Sequence, residues 1–163
     1  MTEDVLTPLI RHVALSNLNQ AYADSLDLGD LASWQGCFTP DGLYKAQGRE
    51  NFDRGLPLAA ILCDGKGMFQ DRVSVISRIM VYAPRSLRHV VGAPRIISAS
   101  GELIRARASF SIFHTLPHEP TALLSVGRYE DEVLANGAGE MRFRSRVAVY
   151  DSLLIPNSLV YPL

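Results

Sequence analysis

The sequence has few of the features that mark a membrane-spanning or nucleic-acid-binding chain. Its 163 residues carry a formal net charge of −1 and contain no long apolar run. A membrane-spanning helix needs about 18 consecutive apolar residues, and binding to phosphates depends on a surplus of basic side chains. We therefore predict that neither a membrane nor a nucleic acid is a partner.

Cysteine is also scarce, with one residue at position 37 and one at position 63. Both stand in apolar surroundings, which favours buried free thiols over a disulfide in a reducing compartment. The first ten residues, MTEDVLTPLI, have acidic residues near their start and no long apolar core, so they do not resemble a signal peptide. We expect a cytoplasmic protein.

The common motifs for catalysis and cofactor binding are missing. An iron–sulfur cluster that is held by both cysteine and histidine needs a histidine close to a cysteine in the chain. Neither cysteine has one. There is no GxxxxGK[ST] phosphate loop and no Gly-x-Ser-x-Gly elbow. The NGAG stretch at 136–139 predicts a hairpin turn. The sequence shows no reaction centre of its own.

The N-terminal half has helical periodicity. A first helix is predicted from Thr7–Pro8 to Gly29, because apolar residues recur there at helical spacing: Leu15, Leu18, Tyr22 and Leu26. Asp30 can cap a short second helix. A third helix is predicted over 67–81 from the stripe Phe69, Val73, Ile76 and Met80.

The C-terminal half alternates with the period of β-strands. Four long segments are rich in β-branched and aromatic residues and are separated by turns: 88–100, 101–115, 121–134 and 139–153. Short strands are predicted at LYK (43–45) and LAAILC (58–63). Helices first and sheet second indicate one α+β domain over 1–163, with a curved sheet that forms a cone around the first helix.

Strand alternation places Arg142, Arg144 and Arg146 on one face of the last strand. A hairpin at NGAG would add Tyr129 and Asp131 to that face, as a stacking partner and an ion-pair partner. Three interpretations stay open: a solvated sheet face, a contact surface for an acidic partner, and a site for a small acid.

The four histidines do not indicate a metal site. His114 and His118 are four residues apart, but Pro117 and Pro120 are incompatible with a helix there, so we predict a loop. His89 lies at the start of a strand, where we predict a hydrogen-bonded structural role.

An alternative role for His89 is acid–base catalysis in a stand-alone isomerase or dehydratase. A cone could bring it to Asp24, Asp27 or Tyr22. That hypothesis needs a roomy polar pocket, and it fails if three aromatic side chains fill the interior: Trp34, Phe38 and Phe110. A small-molecule binding domain would instead have an apolar cavity without a titrating pair.

The final segment, YDSLLIPNSLVYPL at 150–163, is strongly apolar. If its side chains stayed in water, the protein would lose on the order of 10 kcal/mol of stabilisation from their burial. We predict that it docks either on its own fold, which suits 153–155 as the continuation of a strand, or on another subunit. The subunit-contact candidates in it are Leu159, Val160, Tyr161 and Leu163.

Four stretches carry a family resemblance: RENFDRGLPL (49–58), DRV (71–73), RHVVGAPRI (88–96) and SRVAVYDSLLIPNSLVYPL (145–163). Together they resemble the small (β) subunit of Rieske non-haem iron aromatic ring-hydroxylating oxygenases. They look closest to the subgroup that acts on aromatic acids, which comprises salicylate 5-hydroxylase and the anthranilate, benzoate and terephthalate dioxygenases.

The resemblance implies an NTF2-like α+β cone with N-terminal helices packed on a mixed, mainly antiparallel sheet. It implies a large (α) subunit that carries the Rieske [2Fe–2S] cluster and the mononuclear iron. It further implies a trimer of small subunits in an α3β3 assembly. This chain is then expected to hold no cofactor, metal or catalytic residue and to act as a structural subunit in aromatic catabolism.

Overall fold

The computed structural model describes residues 3–79, 84–136, 139–154 and 159–163. Within these ranges the helices are α1 (Glu3–Asp27), α2 (Leu31–Gly36), α3 (Arg49–Asp53) and α4 (Gly65–Ser74), with a π-helical turn at Val75–Ile79. The strands are β1 (Phe38–Gly48), β2 (Ile61–Asp64), β3 (Ser86–Val91), β4 (Arg95–Ser100), β5 (Leu103–Thr115), β6 (Ala122–Ala135) and β7 (Met141–Tyr150). The helices precede strands β3 to β7, as predicted for this α+β chain, whereas the long strand β1 and the short strand β2 lie among the helices.

The strands form one mixed, seven-stranded sheet in the order β2-β1-β7-β6-β5-β3, and β4 also pairs with β5. Strands β1 and β7 pair in parallel, whereas the other described pairs are antiparallel. Helix α1 contacts both β3 and β7, although β5 and β6 lie between them in the sheet. One helix can touch both strands only if the sheet curls around it, which gives the predicted cone.

Helix α1 confirms the periodicity prediction. Leu15, Tyr22 and Leu26 are buried on one side of it. The predicted start is wrong, because the helix begins at Glu3 and contains Pro8 in its second turn.

Helix α2 begins where the sequence predicted. Asp30 caps it, since the backbone N–H of Ser33 donates to the Asp30 carboxylate at 3.0 Å and the Ser33 hydroxyl donates at 2.6 Å. These hydrogen bonds also lower the pKa of Asp30. The cap fixes the direction in which the chain enters the helix and brings Trp34 into the core.

The third predicted helix is present as α4 and its π-helical extension. It begins directly after Asp64, and Phe69 and Ile76 are buried on its inner side. Met80, the last residue of the predicted stripe, lies outside the described residues. The strand predicted over 58–63 is shorter, because only β2 pairs with β1.

The segment predicted as one strand over 88–100 is two strands. β3 pairs with the C-terminal part of β5, and β4 pairs with its N-terminal part. The interruption falls at Gly92–Pro94, where proline has no N–H to donate to a strand ladder. The backbone N–H of Gly92 still donates to the Ser109 carbonyl at 2.8 Å, so both strands stay on the same edge of β5.

Gly127→Ala is expected to lower the free energy of unfolding by about 3 kcal/mol through overpacking. A β-carbon at Gly127 would lie 2.1 Å from the Val149 carbonyl oxygen and 2.9 Å from the Phe110 ring. Gly36→Ala is the matched control, because a β-carbon there meets no atom within 4 Å. Denaturant unfolding measures both variants, and equal values would contradict the described packing of β6 on β7.

Candidate functional site

A fully buried ion pair lies in the interior of the cone. Arg146 on β7 and Asp131 on β6 have side-chain exposures of 0% and 1%. The Arg146 Nε donates to Asp131 Oδ1 at 2.9 Å, and Nη2 donates to Oδ2 at 2.7 Å. Nη2 also donates to the side-chain oxygen of Asn19 on α1. The guanidinium therefore joins the first helix to two central strands.

Three aromatic rings surround this cation. The Arg146 guanidinium carbon lies 4.3, 3.9 and 3.8 Å from the ring centroids of Tyr22, Tyr129 and Phe143, respectively. Such contacts strengthen when the cation is removed from water. Burial raises the pKa of Tyr22 and of Tyr129, so both hydroxyl groups stay protonated at neutral pH.

The prediction that three arginines share one face is wrong for Arg146. Arg142 and Arg144 are exposed, whereas Arg146 points into the core. The pairing of β6 with β7 shifts after Glu132, and the bulge leaves Arg144 without a cross-strand partner. The extra residue in β7 moves each side chain that follows it to the opposite face of the sheet. Arg146 thus has no exposed surface for a subunit contact, although its predicted partners Asp131 and Tyr129 are confirmed.

The outer face of the sheet carries paired charges. Arg105 contacts Glu132 at 3.0 Å, and Glu130 lies 2.8 Å from both Arg107 and Arg128. Exposed pairs of this kind contribute little stability each. They leave a polar sheet face on which Arg142 and Arg144 stay candidates for a subunit contact.

His89 forms the hydrogen-bonded pair that the structural interpretation predicted. Its Nδ1 lies 2.6 Å from Asp27 Oδ1, and its backbone N–H donates to the same carboxylate at 3.0 Å. The partner is Asp27 on α1, not Asp24 or Tyr22. The other ring nitrogen, Nε2, is buried and has no hydrogen-bond partner among the described residues.

The interior of the cone contains many aromatic side chains. Trp34, Phe38 and Phe110 are all buried. The rings of Phe38 and Phe69 pack with centroids 4.7 Å apart, and Phe110 stacks on Tyr129 at 4.6 Å. The burial of Trp34, Phe38 and Phe110 is the outcome under which the stand-alone acid–base enzyme hypothesis fails.

The final segment docks on its own fold in a different way from the one predicted. Val160 and Leu163 are buried, while Leu153 and Leu154 are 79% and 84% exposed. The Leu163 backbone N–H donates to the Tyr44 hydroxyl at 2.7 Å, and its carbonyl oxygen accepts from the Tyr22 hydroxyl at 2.5 Å. Ile155 lies outside the described residues.

The chain leaves the sheet after β7, which explains the exposure of Leu153 and Leu154. Strand β7 ends at Tyr150, and Asp151 forms an ion pair with Arg49 at 2.7 Å. The prediction that Leu153 and Leu154 continue the strand into their own fold is therefore wrong. Conversely, Val160 and Leu163, proposed as subunit contacts, are covered by their own chain.

Metal ligands and reactive thiols are not assembled in the described part of the chain. No group of three or more His, Cys, Asp or Glu side chains there is placed to hold a metal ion. His114 is the penultimate residue of β5, and His118 lies in the following turn with a φ of 66°. Cys37 and Cys63 are free and buried, as predicted, and burial raises the pKa of Cys37 to about 11. Among the helices of the described ranges, none combines the length and apolar character needed to cross a membrane.

Comparison with known proteins identifies the family. A model of the SnoaL-like domain matches residues 9–147. A solved structure from Novosphingobium aromaticivorans DSM 12444, named as the beta subunit of a proposed aromatic-ring-hydroxylating dioxygenase, is 34% identical with a TM-score of 0.86. That match covers 96% of this chain and 99% of the other. The chain belongs to the β subunits of the aromatic ring-hydroxylating dioxygenases.

Other relatives agree with this β-subunit assignment. Subunits beta 2 and beta 1 of the terminal oxygenase component of terephthalate 1,2-dioxygenase, from Comamonas sp, are 27% and 26% identical. Each match covers 95% of this chain and 100% of the relative. The beta subunit of benzoate 1,2-dioxygenase from Burkholderia mallei ATCC 23344 has a TM-score of 0.69 at 13% identity, over 84% of this chain and 88% of that one, and shows a shared fold.

These findings confirm the resemblance seen in the sequence and the NTF2-like α+β cone. The β subunit is part of a multicomponent oxidoreductase. Two residues that organise its interior were missed from the sequence, namely Asn19 beside Arg146 and Tyr44 beside Leu163. The sequence does contain a sign that Asn19 is buried, because it is a polar residue in line with the apolar stripe of α1.

Arg146→Met is expected to lower the free energy of unfolding of the β subunit by about 3–5 kcal/mol, since Asp131 would stay buried without its partner. The double variant Arg146→Met/Asp131→Leu should regain most of that loss. Arg144→Met, at an exposed position on the same strand, is the control and should change stability by about 0.5 kcal/mol or less. Urea unfolding at neutral pH measures all three. A single Arg146 variant as stable as the control would contradict the role of the pair.

Proposed function

We propose that this β subunit is the structural small subunit of an oxygenase that hydroxylates an aromatic carboxylic acid. Terephthalate and benzoate, which appear in the names of its relatives, are both aromatic carboxylates. The packed interior of the cone is the observation that carries a structural role, because aromatic side chains occupy the space where a substrate would sit.

A large subunit is the proposed partner, and it would hold both the Rieske [2Fe–2S] cluster and the mononuclear iron. The proposal is supported by the names of the relatives, which are subunits of terminal oxygenase components. The side chains described here offer no cluster of three metal ligands for either centre. An α3β3 arrangement, with a trimer of small subunits, completes the proposal.

The leucines that stay exposed supply a candidate contact surface. We define the leucine surface as Leu58, Leu153 and Leu154, which are 70%, 79% and 84% exposed. Arg49, at the start of the helix that precedes Leu58, forms an ion pair with Asp151, two residues before Leu153. Exposed leucines suit the interfaces of permanent complexes, which are more apolar than the ordinary protein surface.

Co-expression with large subunits of aromatic-acid dioxygenases tests the assembly. The wild-type chain should co-purify with a matching large subunit. Leu153→Asp/Leu154→Asp should lose that co-purification, because two carboxylates would be buried unpaired in the contact. Leu28→Asp is the matched control, since Leu28 is 83% exposed in the turn that follows α1 and should not affect assembly.

The results with the wild-type chain and with the variant test the proposed function and the leucine surface separately. A wild-type chain that stays a lone monomer with every large subunit would contradict the proposed function. Normal co-purification of the Leu153→Asp/Leu154→Asp variant would refute the leucine surface alone. Hydroxylation of benzoate, terephthalate or salicylate by the reconstituted oxygenase, with toluene as the substrate that lacks a carboxylate, tests the substrate class.

A further inference from the structure

The first half of helix α1 carries an apolar face that its own fold does not cover. Among the described side chains of this helix, Leu15 is the first that is buried. Before it, Leu9, Ile10 and Val13 are 57%, 58% and 49% exposed. We call residues 3–13 the helix arm, which extends for about 16 Å along the helix axis.

This apolar face does not suit a surface that stays in water. Gln20 and Asp24 lie further along the same face of the helix as Leu9 and Val13. They are polar, and the Gln20 side-chain amide donates to Asp24 at 2.8 Å. An isolated helix as short as the arm is marginal in water and depends on the packing of its apolar face. The helix arm is therefore expected to pack against another chain.

A groove of matching character lies beside the middle of the same helix. It has a volume of about 590 Å³ and is bounded by α1, the end of α2 and the start of β7. Leu18 and Met141 give it an apolar surface that packs on the core. Its alanine and glycine residues are small enough for a second helix to come close. We call it the helix groove and define it by Ala14, Leu18, Ala21, Gly36, Met141 and Arg142.

Arg142 gives the helix groove a positive charge that its own chain does not pair. Arg105 and Arg107 on β5 each contact a carboxylate, whereas no carboxylate among the described residues contacts Arg142. Glu140 also lines the groove, and its carboxylate accepts a hydrogen bond from the Asn136 side chain at 2.9 Å. The groove thus suits an apolar segment that carries acidic residues.

The helix arm has this chemistry. The sequence places Glu3 and Asp4 at its start, ahead of its exposed apolar residues. A continuous helix cannot fold back onto its own side, so an arm that fills this groove belongs to a second copy of the chain.

We propose that the helix arm of one β subunit lies in the helix groove of the next, with its acidic first turn near Arg142. Such a head-to-tail contact uses two different surfaces of each copy and can close into a ring, here of three copies. The inference rests on the proposed function, because it supplies the contact between the small subunits of the proposed trimer.

Sedimentation of the isolated β subunit tests the helix arm. The wild-type chain should sediment as a trimer of 17.9 kDa copies. Leu9→Asp/Ile10→Asp should raise the dissociation constant about thirtyfold or more, because carboxylates would replace apolar side chains within the contact. Both positions are exposed in the single copy, so this arm variant should keep its fold and its far-UV circular dichroism. Leu28→Asp, at an exposed position outside the arm and the groove, is the matched control and should stay a trimer.

A second variant tests the helix groove. Ala21→Trp/Arg142→Glu fills the groove with a bulky side chain and reverses its charge, so it should also weaken association about thirtyfold or more. Arg144→Glu is its control, since Arg144 is exposed on the same strand but does not line the groove. A groove variant that associates as tightly as this control would overturn the proposal.

A mixture of the two variants tests the head-to-tail arrangement. The arm variant keeps an intact groove, and the groove variant keeps an intact arm. An equimolar mixture should therefore form a dimer that is held by one arm–groove contact, whereas each variant alone should stay monomeric. A mixture that also stays monomeric would contradict the arrangement.

The wild-type chain alone can also overturn the inference. Sedimentation as a monomer or a dimer would refute the ring, as would an arm variant that stays a trimer. Neither result decides the proposed function, because co-purification of the wild-type chain with a large subunit is measured separately.

Discussion

The buried contact between Arg146 and Asp131 is the constraint on which the rest of the interior depends. A guanidinium removed from water must have its carboxylate, its aromatic neighbours and its polar partner on α1 in fixed positions. It therefore determines where the first helix lies on the sheet. The same requirement excludes a wide, solvated cone, because an open interior would leave the pair half solvated and the surrounding rings without contacts. A packed cone is suited to shaping subunit surfaces.

Local features of the fold could be predicted from the sequence, whereas the orientation of Arg146 could not. The periodicity of α1, the cap at Asp30 and the alternation in β5 each depend on residues close in the chain. The orientation of Arg146 depends on a bulge at Arg144, which arises from the register between two strands. Since one residue of slip reverses every later side chain, strict alternation gave the wrong face.

The candidate sites were even harder to predict from the sequence than the orientation of Arg146, because they depend on contacts between residues far apart in the chain. His89 and Asp27 are 62 positions apart, so spacing alone could not choose Asp27 over Asp24 or Tyr22. Tyr44 lies 119 positions from Leu163, and their contact had no sequence signal at all. The apolar character of the final segment correctly predicted docking, but the side chains that dock are Val160 and Leu163, while Leu153 and Leu154 stay in water.

The parallel pairing of β1 with β7 has a consequence for biosynthesis. Residues 38–48 leave the ribosome about a hundred residues before residues 141–150, yet the two strands lie side by side in the sheet. Until β7 emerges, β1 has β2 as its only described sheet neighbour, and its other edge is open to incorrect pairing. High contact order of this kind makes folding slow. The nascent chain should therefore complete its sheet only late in translation.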